Sequence, residues 1–232
     1  MHRARGSAFV SGPPVRRNGS EASSNGRTAD FGSAYEGSNP SASANTASKP
    51  ANLRAELRPL GRPAHVIVVA LGGVAPRLVQ AAGEALRETL DIAARPGPSL
   101  DRPQYAFNKD RAQYHATSIL RRLSGLRAKD APVVGILDVD LFLPDAPYVI
   151  GDADRDAGAA VFSLHRLSHG EPETIRRRAK VETVHAAGHL LGLSHCTDFR
   201  CAMFFSRDAA DSDRKGPGLC ASCRAALGLV AR

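Results

Sequence analysis

Residues 185–195 of this 232-residue chain read HAAGHLLGLSH. The first two histidines, His185 and His189, are four positions apart, so both side chains leave the same face of a helix. Gly192 can adopt the left-handed backbone conformation that ends a helix and turns the chain back. Such a turn would bring His195 to the same point as the other two. Three neutral imidazoles with a fourth position open are the ligand set of a catalytic-type zinc site.

This spacing resembles the metzincin signature of zinc peptidases, H-E-x-x-H-x-x-G-x-x-H followed by a Met-turn. Residues further along narrow the resemblance to the archaemetzincins, in which a four-cysteine zinc site adjoins the catalytic one. They are Cys196, Cys201, Met203, the trio Asp213-Arg214-Lys215, Cys220 and Cys223. The resemblance is densest over residues 182–223. It implies a zinc metallopeptidase with His185, His189 and His195 on the catalytic zinc and Met203 in the hydrophobic layer beneath it.

One residue departs from that chemistry, because position 186 carries Ala186 where a zinc peptidase has glutamate. That glutamate accepts a proton from the metal-bound water and later passes it to the leaving amine. A positioned acid/base of this kind is typically worth roughly 10²–10⁴-fold in rate. The glutamate is not a metal ligand, so zinc binding does not require it. We therefore expect weak or absent proteolysis and assign no catalytic residue.

Two alternatives follow from the missing glutamate. One is a non-catalytic pseudoprotease that binds zinc and holds a peptide or protein partner in the former cleft. The other is a substitute base, for which Glu182 is the candidate because it lies one turn earlier on the same helix face. We expect Glu182 to point beside the cleft rather than at the metal.

The four cysteines follow the pattern C-x4-C, an 18-residue gap and C-x2-C. This spacing is typical of a zinc ribbon, in which four thiolates hold a structural zinc. Two disulfides or free thiols are the alternatives. With the resemblance, the spacing predicts that Cys196, Cys201, Cys220 and Cys223 hold a second zinc ion, which would stabilise the C-terminal segment.

The net charge of +8 raises the question of a nucleic-acid partner. Residues 1–64 hold nine basic and four acidic side chains, so most of the excess lies in the N-terminal tail. The remainder is nearly balanced and lacks a helix-turn-helix pattern, which disfavours nucleic-acid binding. No apolar run approaches the roughly 18–20 residues of a membrane span. We expect a cytoplasmic monomer whose partner is a peptide or protein, with no membrane contact.

Residues 18–48 are rich in Ser, Ala, Asn and Gly and show neither helical nor strand periodicity, so residues 1–62 are predicted to be a disordered tail. Gly37-Ser38-Asn39-Pro40 can be encoded by GGT-TCG-AAT-CCC, which resembles the T-arm of a transfer RNA. Our hypothesis is that this tail is a transfer-RNA gene read as protein. The true start would then be a non-ATG codon near residues 50–65, because the only other methionine is Met203. Residues 63–232 are predicted to form the archaemetzincin-like domain.

The predicted fold is α/β, with a mixed sheet, an active-site helix and a C-terminal subdomain held by the cysteine zinc. By the resemblance, the strand at residues 159–164 should lie at the cleft edge, where it could pair with an extended peptide. The arginines at 176–178 are expected on a solvated helix face. The predicted strands are 65–71, 132–137, 148–150 and 159–164, and the predicted helices are 76–93, 109–125, 172–191 and 221–230.

Overall fold

The computed structural model describes residues 62–128 and 131–229. The predicted tail, apart from Arg62, lies outside the described residues, so its interpretation stays a prediction. The strands are β1 (His65–Leu71), β2 (Ala93–Pro96), β3 (Phe107–Asn108), β4 (Gln113–His115), β5 (Val133–Leu137), β6 (Leu141–Leu143), β7 (Ala146–Val149), β8 (Gly151–Asp154) and β9 (Ala159–Ser163). The helices are α1 (Pro76–Leu90), α2 (Ala116–Ser124), α3 (Pro172–Leu190), α4 (Ala209–Arg214) and α5 (Ala221–Ala226).

The main sheet has five strands in the order β2-β1-β5-β9-β8. The first four strands run parallel, and β8 pairs with β9 in the antiparallel direction. Strands β5 and β9 are buried at every position, as continuous apolar runs predict for strands covered on both faces. The predicted α/β fold with a mixed sheet is therefore confirmed.

Helices cover both faces of this sheet and create two hydrophobic cores. Helices α1 and α3 contact each other and bury one face, around Phe162 and Leu86. Helix α2 buries the opposite face, around Leu123 and Val161. Both α1 and α3 begin at a proline, where the fixed φ and missing N–H are tolerated. Within the described residues, no helix has the length and apolarity that a membrane crossing needs.

A second, four-stranded sheet in the order β3-β4-β6-β7 was not predicted. It explains why the predicted helix at 109–125 is wrong over its first seven positions. Ala112 adopts a left-handed conformation with φ of 52°, and the chain then enters β4, where Tyr114 pairs with Leu141. Helix α2 begins only at Ala116. Tyr114, inside the predicted helix range, is buried in a strand instead.

The predicted edge strand is also wrong. Strand β9, which covers most of residues 159–164, lies inside the sheet between β5 and β8. A hairpin turn that ends at Gly158, with φ of 66°, places β8 outside it. The sequence of β8 is Gly-Asp-Ala-Asp, and charged residues are typical of sheet edges because they discourage unwanted strand pairing. Strand β8 therefore lies at the sheet edge and contacts α3.

Candidate metal centres

The three histidines of the 185–195 stretch meet at one point. The Nε2 atoms of His185 and His189 are 3.0 Å apart. The His195 ring lies 5.3 Å from the His185 ring and 4.8 Å from the His189 ring, centroid to centroid. One nitrogen from each of the three rings falls within 4.8 Å of the others. The structure thus brings together the three residues that the spacing selected.

The turn at Gly192 makes this meeting possible. Gly192 has φ of 92°, and its N–H donates to the carbonyl of His189 at 2.9 Å. The next N–H, from Leu193, donates to the carbonyl of Gly188 at 2.9 Å. This pair of bonds is the Schellman motif, which satisfies the last carbonyls of a helix and reverses the chain. His195 is carried back over the end of α3 as a result.

Two backbone carbonyls orient the imidazole rings. The carbonyl oxygens of Ala202 and Leu193 lie 2.9 Å from Nδ1 of His185 and His189 respectively. A carbonyl only accepts, so each Nδ1 carries the hydrogen and each Nε2 keeps its lone pair for a metal. Tetrahedral zinc with Zn–N bonds near 2.05 Å would separate two ligand nitrogens by about 3.3 Å. The observed 3.0 Å is close enough that a small shift would fit the ion.

The surroundings of the three histidines lower their pKa values and so favour the neutral imidazole. Burial is the largest cause that lowers the pKa of each of the three, and the nearby Lys215 ammonium contributes in each case. The pKa of His195 falls to about 4, and that of His185 falls well below its usual value. Neutral imidazole is the form that binds a metal.

The four cysteines form a second donor set. They are free thiols, and their sulfur atoms lie within 4.8 Å of one another. The Sγ atoms of Cys196 and Cys220 are 3.7 Å apart. A disulfide requires roughly 2.05 Å, whereas tetrahedral zinc with Zn–S bonds of about 2.3 Å separates two sulfurs by about 3.8 Å. The geometry therefore fits a tetrathiolate metal and does not fit disulfides.

Hydrogen bonds and burial act on these thiols in opposite directions. Burial raises the pKa of Cys201 and of Cys223 above the usual thiol value. The backbone N–H of Cys223 lowers the pKa of Cys220, and the N–H of Asp198 donates to Cys196 Sγ at 3.4 Å. A divalent cation would stabilise all four thiolates and so offset the cost of burying them.

The two donor sets share one short loop. Cys196 directly follows the third histidine, and its N–H donates to the carbonyl of Met203 at 2.9 Å. Met203 is fully buried beneath Gly188, which lies between the two helical histidines. A Cβ at Gly188 would overlap Met203 Sδ, so glycine is needed for this close approach. Met203 occupies the position that the resemblance implied.

Ala186 is buried, with 4% of its surface exposed, and belongs to the core between α3 and the main sheet. Glu182, the candidate substitute base, is also buried. Its carboxylate pairs with Lys215 at 3.3 Å and accepts the hydroxyl of Ser206 at 3.1 Å. These partners hold Glu182 in a structural ion pair, in agreement with the expectation that it does not face the metal.

The prediction that the arginines at 176–178 lie on a solvated helix face is wrong for Arg178. Arg178 is buried, not solvated, and makes two hydrogen bonds with the Asp213 carboxylate at 2.8 Å and 2.7 Å. It also donates to the carbonyl of Leu167 at 2.8 Å. The family-like segment 213–215 is therefore bound to α3. Lys215, at the end of this segment, is also buried, with 1% of its surface exposed.

Three residues near the 185–195 stretch were missed by sequence reasoning. Burial raises the pKa of Asp152 on β8, and its carboxylate accepts the N–H of Ala153 at 2.9 Å. The guanidinium of Arg155 would lie 3.0 Å from a Cβ at Gly192. Phe205 is 43% exposed and its ring packs edge-on against His195, 5.0 Å away. The polar pattern of β8 was the only sequence signal for any of them.

A three-histidine helix-and-turn site above a buried methionine, beside the edge strand of a mixed sheet, defines a zinc peptidase of the metzincin class. Comparison with known proteins gives the family. The model of Peptidase family M54 matches residues 98–228. The archaemetzincin of Aeropyrum pernix is 32% identical over 177 residues, which cover 75% of this chain and 92% of that protein. The archaemetzincin of Methanopyrus kandleri is 37% identical over 121 residues, which cover 52% and 69%.

Solved structures agree with this result. The crystal structure of the Methanopyrus kandleri archaemetzincin has a TM-score of 0.63 and 31% identity, and covers 72% of this chain and 96% of that one. The archaemetzincin of Archaeoglobus fulgidus, complexed with malonate, has a TM-score of 0.61 and 30% identity, with coverage of 68% and 98%. The chain belongs to the archaemetzincin family of zinc metallopeptidases.

Proposed function

We propose that this chain is an archaemetzincin that binds two zinc ions and hydrolyses peptides weakly or not at all. One observation carries the proposal, which is that Ala186 occupies the general-base position of an otherwise complete three-histidine motif. The donor geometry supports a zinc ion at His185, His189 and His195. The 3.7 Å sulfur separation supports a second ion at the four cysteines.

Zinc, when bound by three imidazoles, supplies Lewis acidity and lowers the pKa of a bound water toward about 7. The chain must then accept and return a proton at the reacting atoms. The Ala186 methyl cannot do this. Glu182 is a poor replacement because it already accepts from Lys215 and Ser206. The peptide amine would leave without a positioned acid, which accounts for the low predicted rate.

The test is to install the missing group in the full-length chain. Ala186→Glu should raise peptide cleavage by about 10²-fold or more, within the range for a positioned acid/base. Ala186→Gln is the matched control, because it has the same shape and no basic carboxylate. Cleavage of a fluorogenic peptide would be measured for all three proteins at equal zinc content and with chelator. Parent activity that Ala186→Glu does not increase would contradict the proposal.

A second candidate is peptide binding without cleavage, and the free edge of β8 supports it. The N–H of Ser163 donates to the carbonyl of Ile150, and hydrogen-bonded pairs alternate in an antiparallel ladder. The backbone groups of Gly151 and Ala153 therefore point away from β9, at the outer edge of the sheet. An extended peptide could pair with them by strand addition. The Asp152 carboxylate now accepts the N–H of Ala153, and a peptide carbonyl would have to replace it.

Fluorescence anisotropy with labelled extended peptides would measure this binding. Ala153→Pro removes the outward N–H and should weaken binding while zinc content stays unchanged. Asp152→Ala frees the same N–H and should strengthen it. Binding that neither substitution alters would place the peptide elsewhere and contradict strand addition at β8.

A further inference from the structure

A buried lysine lies between the two metal centres. Lys215 is 1% exposed, and its side chain has no solvent contact. Its Nζ donates to the carbonyls of Ala202 and Phe204 at 3.3 Å and 3.0 Å. The Glu182 carboxylate lies 3.3 Å away and supplies the opposite charge. The ammonium therefore has three partners, which is the number of hydrogens it can donate.

Two of those partners belong to the Met-turn. Ala202 and Phe204 flank Met203 on either side, so Lys215 binds both ends of the turn. The Ala202 carbonyl is also the acceptor for Nδ1 of His185, at 2.9 Å. Lys215 Nζ and His185 Nδ1 thus donate hydrogen bonds to the same carbonyl oxygen. A displacement of this carbonyl would change the orientation of the His185 ring.

Backbone hydrogen bonds of the segment that follows Lys215 connect the Met-turn to the cysteine site. The N–H of Gly216 donates to the carbonyl of Arg200 at 3.0 Å, and the N–H of Ala202 donates to the carbonyl of Gly218 at 2.8 Å. The N–H of Cys220 then donates to Cys201 Sγ at 3.4 Å. Segment 215–220 therefore runs beside the loop that carries two of the cysteines and ends at a third.

The buried Glu182–Lys215 ion pair is not well explained by a contribution to overall stability. Removing two charges from water is expensive, and replacing a buried ion pair by apolar side chains of similar volume is often neutral or stabilising. Removing one partner alone leaves a buried unpaired charge and strongly destabilises the fold. A double replacement therefore separates the effect of the charge pair on folding from the effect of the Lys215 hydrogen bonds on the carbonyls.

We propose that Lys215, neutralised by Glu182, is a positioning residue for the three-histidine metal site. It holds the Ala202 and Phe204 carbonyls so that His185 presents Nε2 to the metal and Met203 stays beneath α3. The proposal rests on metal binding by the three histidines and does not depend on peptide cleavage.

The test uses Co²⁺ as the probe on the full-length chain, in competition with a chelator. Cobalt at the cysteine site gives an intense thiolate charge-transfer band, and cobalt at the histidine site gives only weak visible bands, so the two sites are read separately. Glu182→Met/Lys215→Met should keep the thiolate band and one tightly bound ion. Affinity at the histidine site should fall by about 10- to 100-fold, as for other partners of metal-bound histidines.

Lys180→Met is the matched control, because Lys180 is also on α3 but pairs with Glu84 on α1 at 3.1 Å. It should leave both affinities unchanged. Parental affinity at the histidine site in the double variant would overturn the proposal. So would joint loss of both ions, because it would make Lys215 a support of the whole fold. A parent chain that binds no ion at the histidines would instead contradict the proposed function.

Discussion

Replacing Gly188 by alanine tests how tightly Met203 is held beneath α3. In an open helix this substitution stabilises by roughly 1 kcal/mol, because glycine loses more conformational entropy on folding. Here the new Cβ would overlap Met203 Sδ and lie 3.1 Å from its Cε and 3.5 Å from Leu193 Cδ1. Met203 is fully buried, so it has no solvent into which to move. Overpacking of this kind typically costs about 1–3 kcal/mol.

The two effects have opposite signs, and the steric cost should exceed the helix gain. We expect Gly188→Ala to lose about 1 kcal/mol of unfolding free energy, which lowers the melting temperature by about 2–4 °C. Met203→Ala removes the obstacle, so in that background the same substitution should stabilise. A double-mutant cycle measured by urea unfolding at saturating zinc should give a coupling of about 1–3 kcal/mol. Equal stabilisation by Gly188→Ala in both backgrounds would refute the close contact.

Three further predictions follow from the same geometry. Gly192→Ala should lower the free energy of unfolding by about 1–2 kcal/mol, because alanine is strained in the left-handed conformation and its Cβ would lie 3.0 Å from the Arg155 guanidinium. An unchanged melting temperature would contradict this prediction. Hydrogen bonds from Arg178 lower the pKa of Asp213 in the folded chain. The pair therefore stabilises the fold fully above about pH 4, which is the pKa of aspartate in the unfolded chain. This stabilisation is lost as the pH falls through the lower pKa of the folded chain. Asp213→Asn should therefore reduce stability at neutral pH, and its difference from the parent should shrink in acid; a difference that is constant with pH would argue against it. Cys223→Ser should leave one zinc per chain by elemental analysis, and two would exclude the tetrathiolate site.

Many of the candidate metal ligands could be predicted from the sequence because they lie close to one another along the chain. His185 and His189 are related by helical periodicity alone, and Gly192 marks the turn that follows. The same holds for β1, β5 and α3, whose apolar runs or proline starts identify them without knowledge of their neighbours.

The features that could not be predicted depend on contacts between distant residues. Strand β8 became the edge only because a hairpin placed it outside β9. Arg178 was expected in solvent because charged residues usually are, yet Asp213, 35 positions away, pairs with it. The Glu182–Lys215 pair spans a similar distance, and neither residue has a local pattern that indicates burial. Ala186 is different, since the sequence alone identified the missing carboxylate.

The zinc content of the full-length chain, compared with that of His189→Gln, tests the central claim most directly. Removing one imidazole from the three-histidine set should release that ion and leave the tetrathiolate ion in place. We predict two zinc ions per chain for the parent and one for the variant. A parent with a single zinc that His189→Gln does not remove would contradict a metal site at the three histidines.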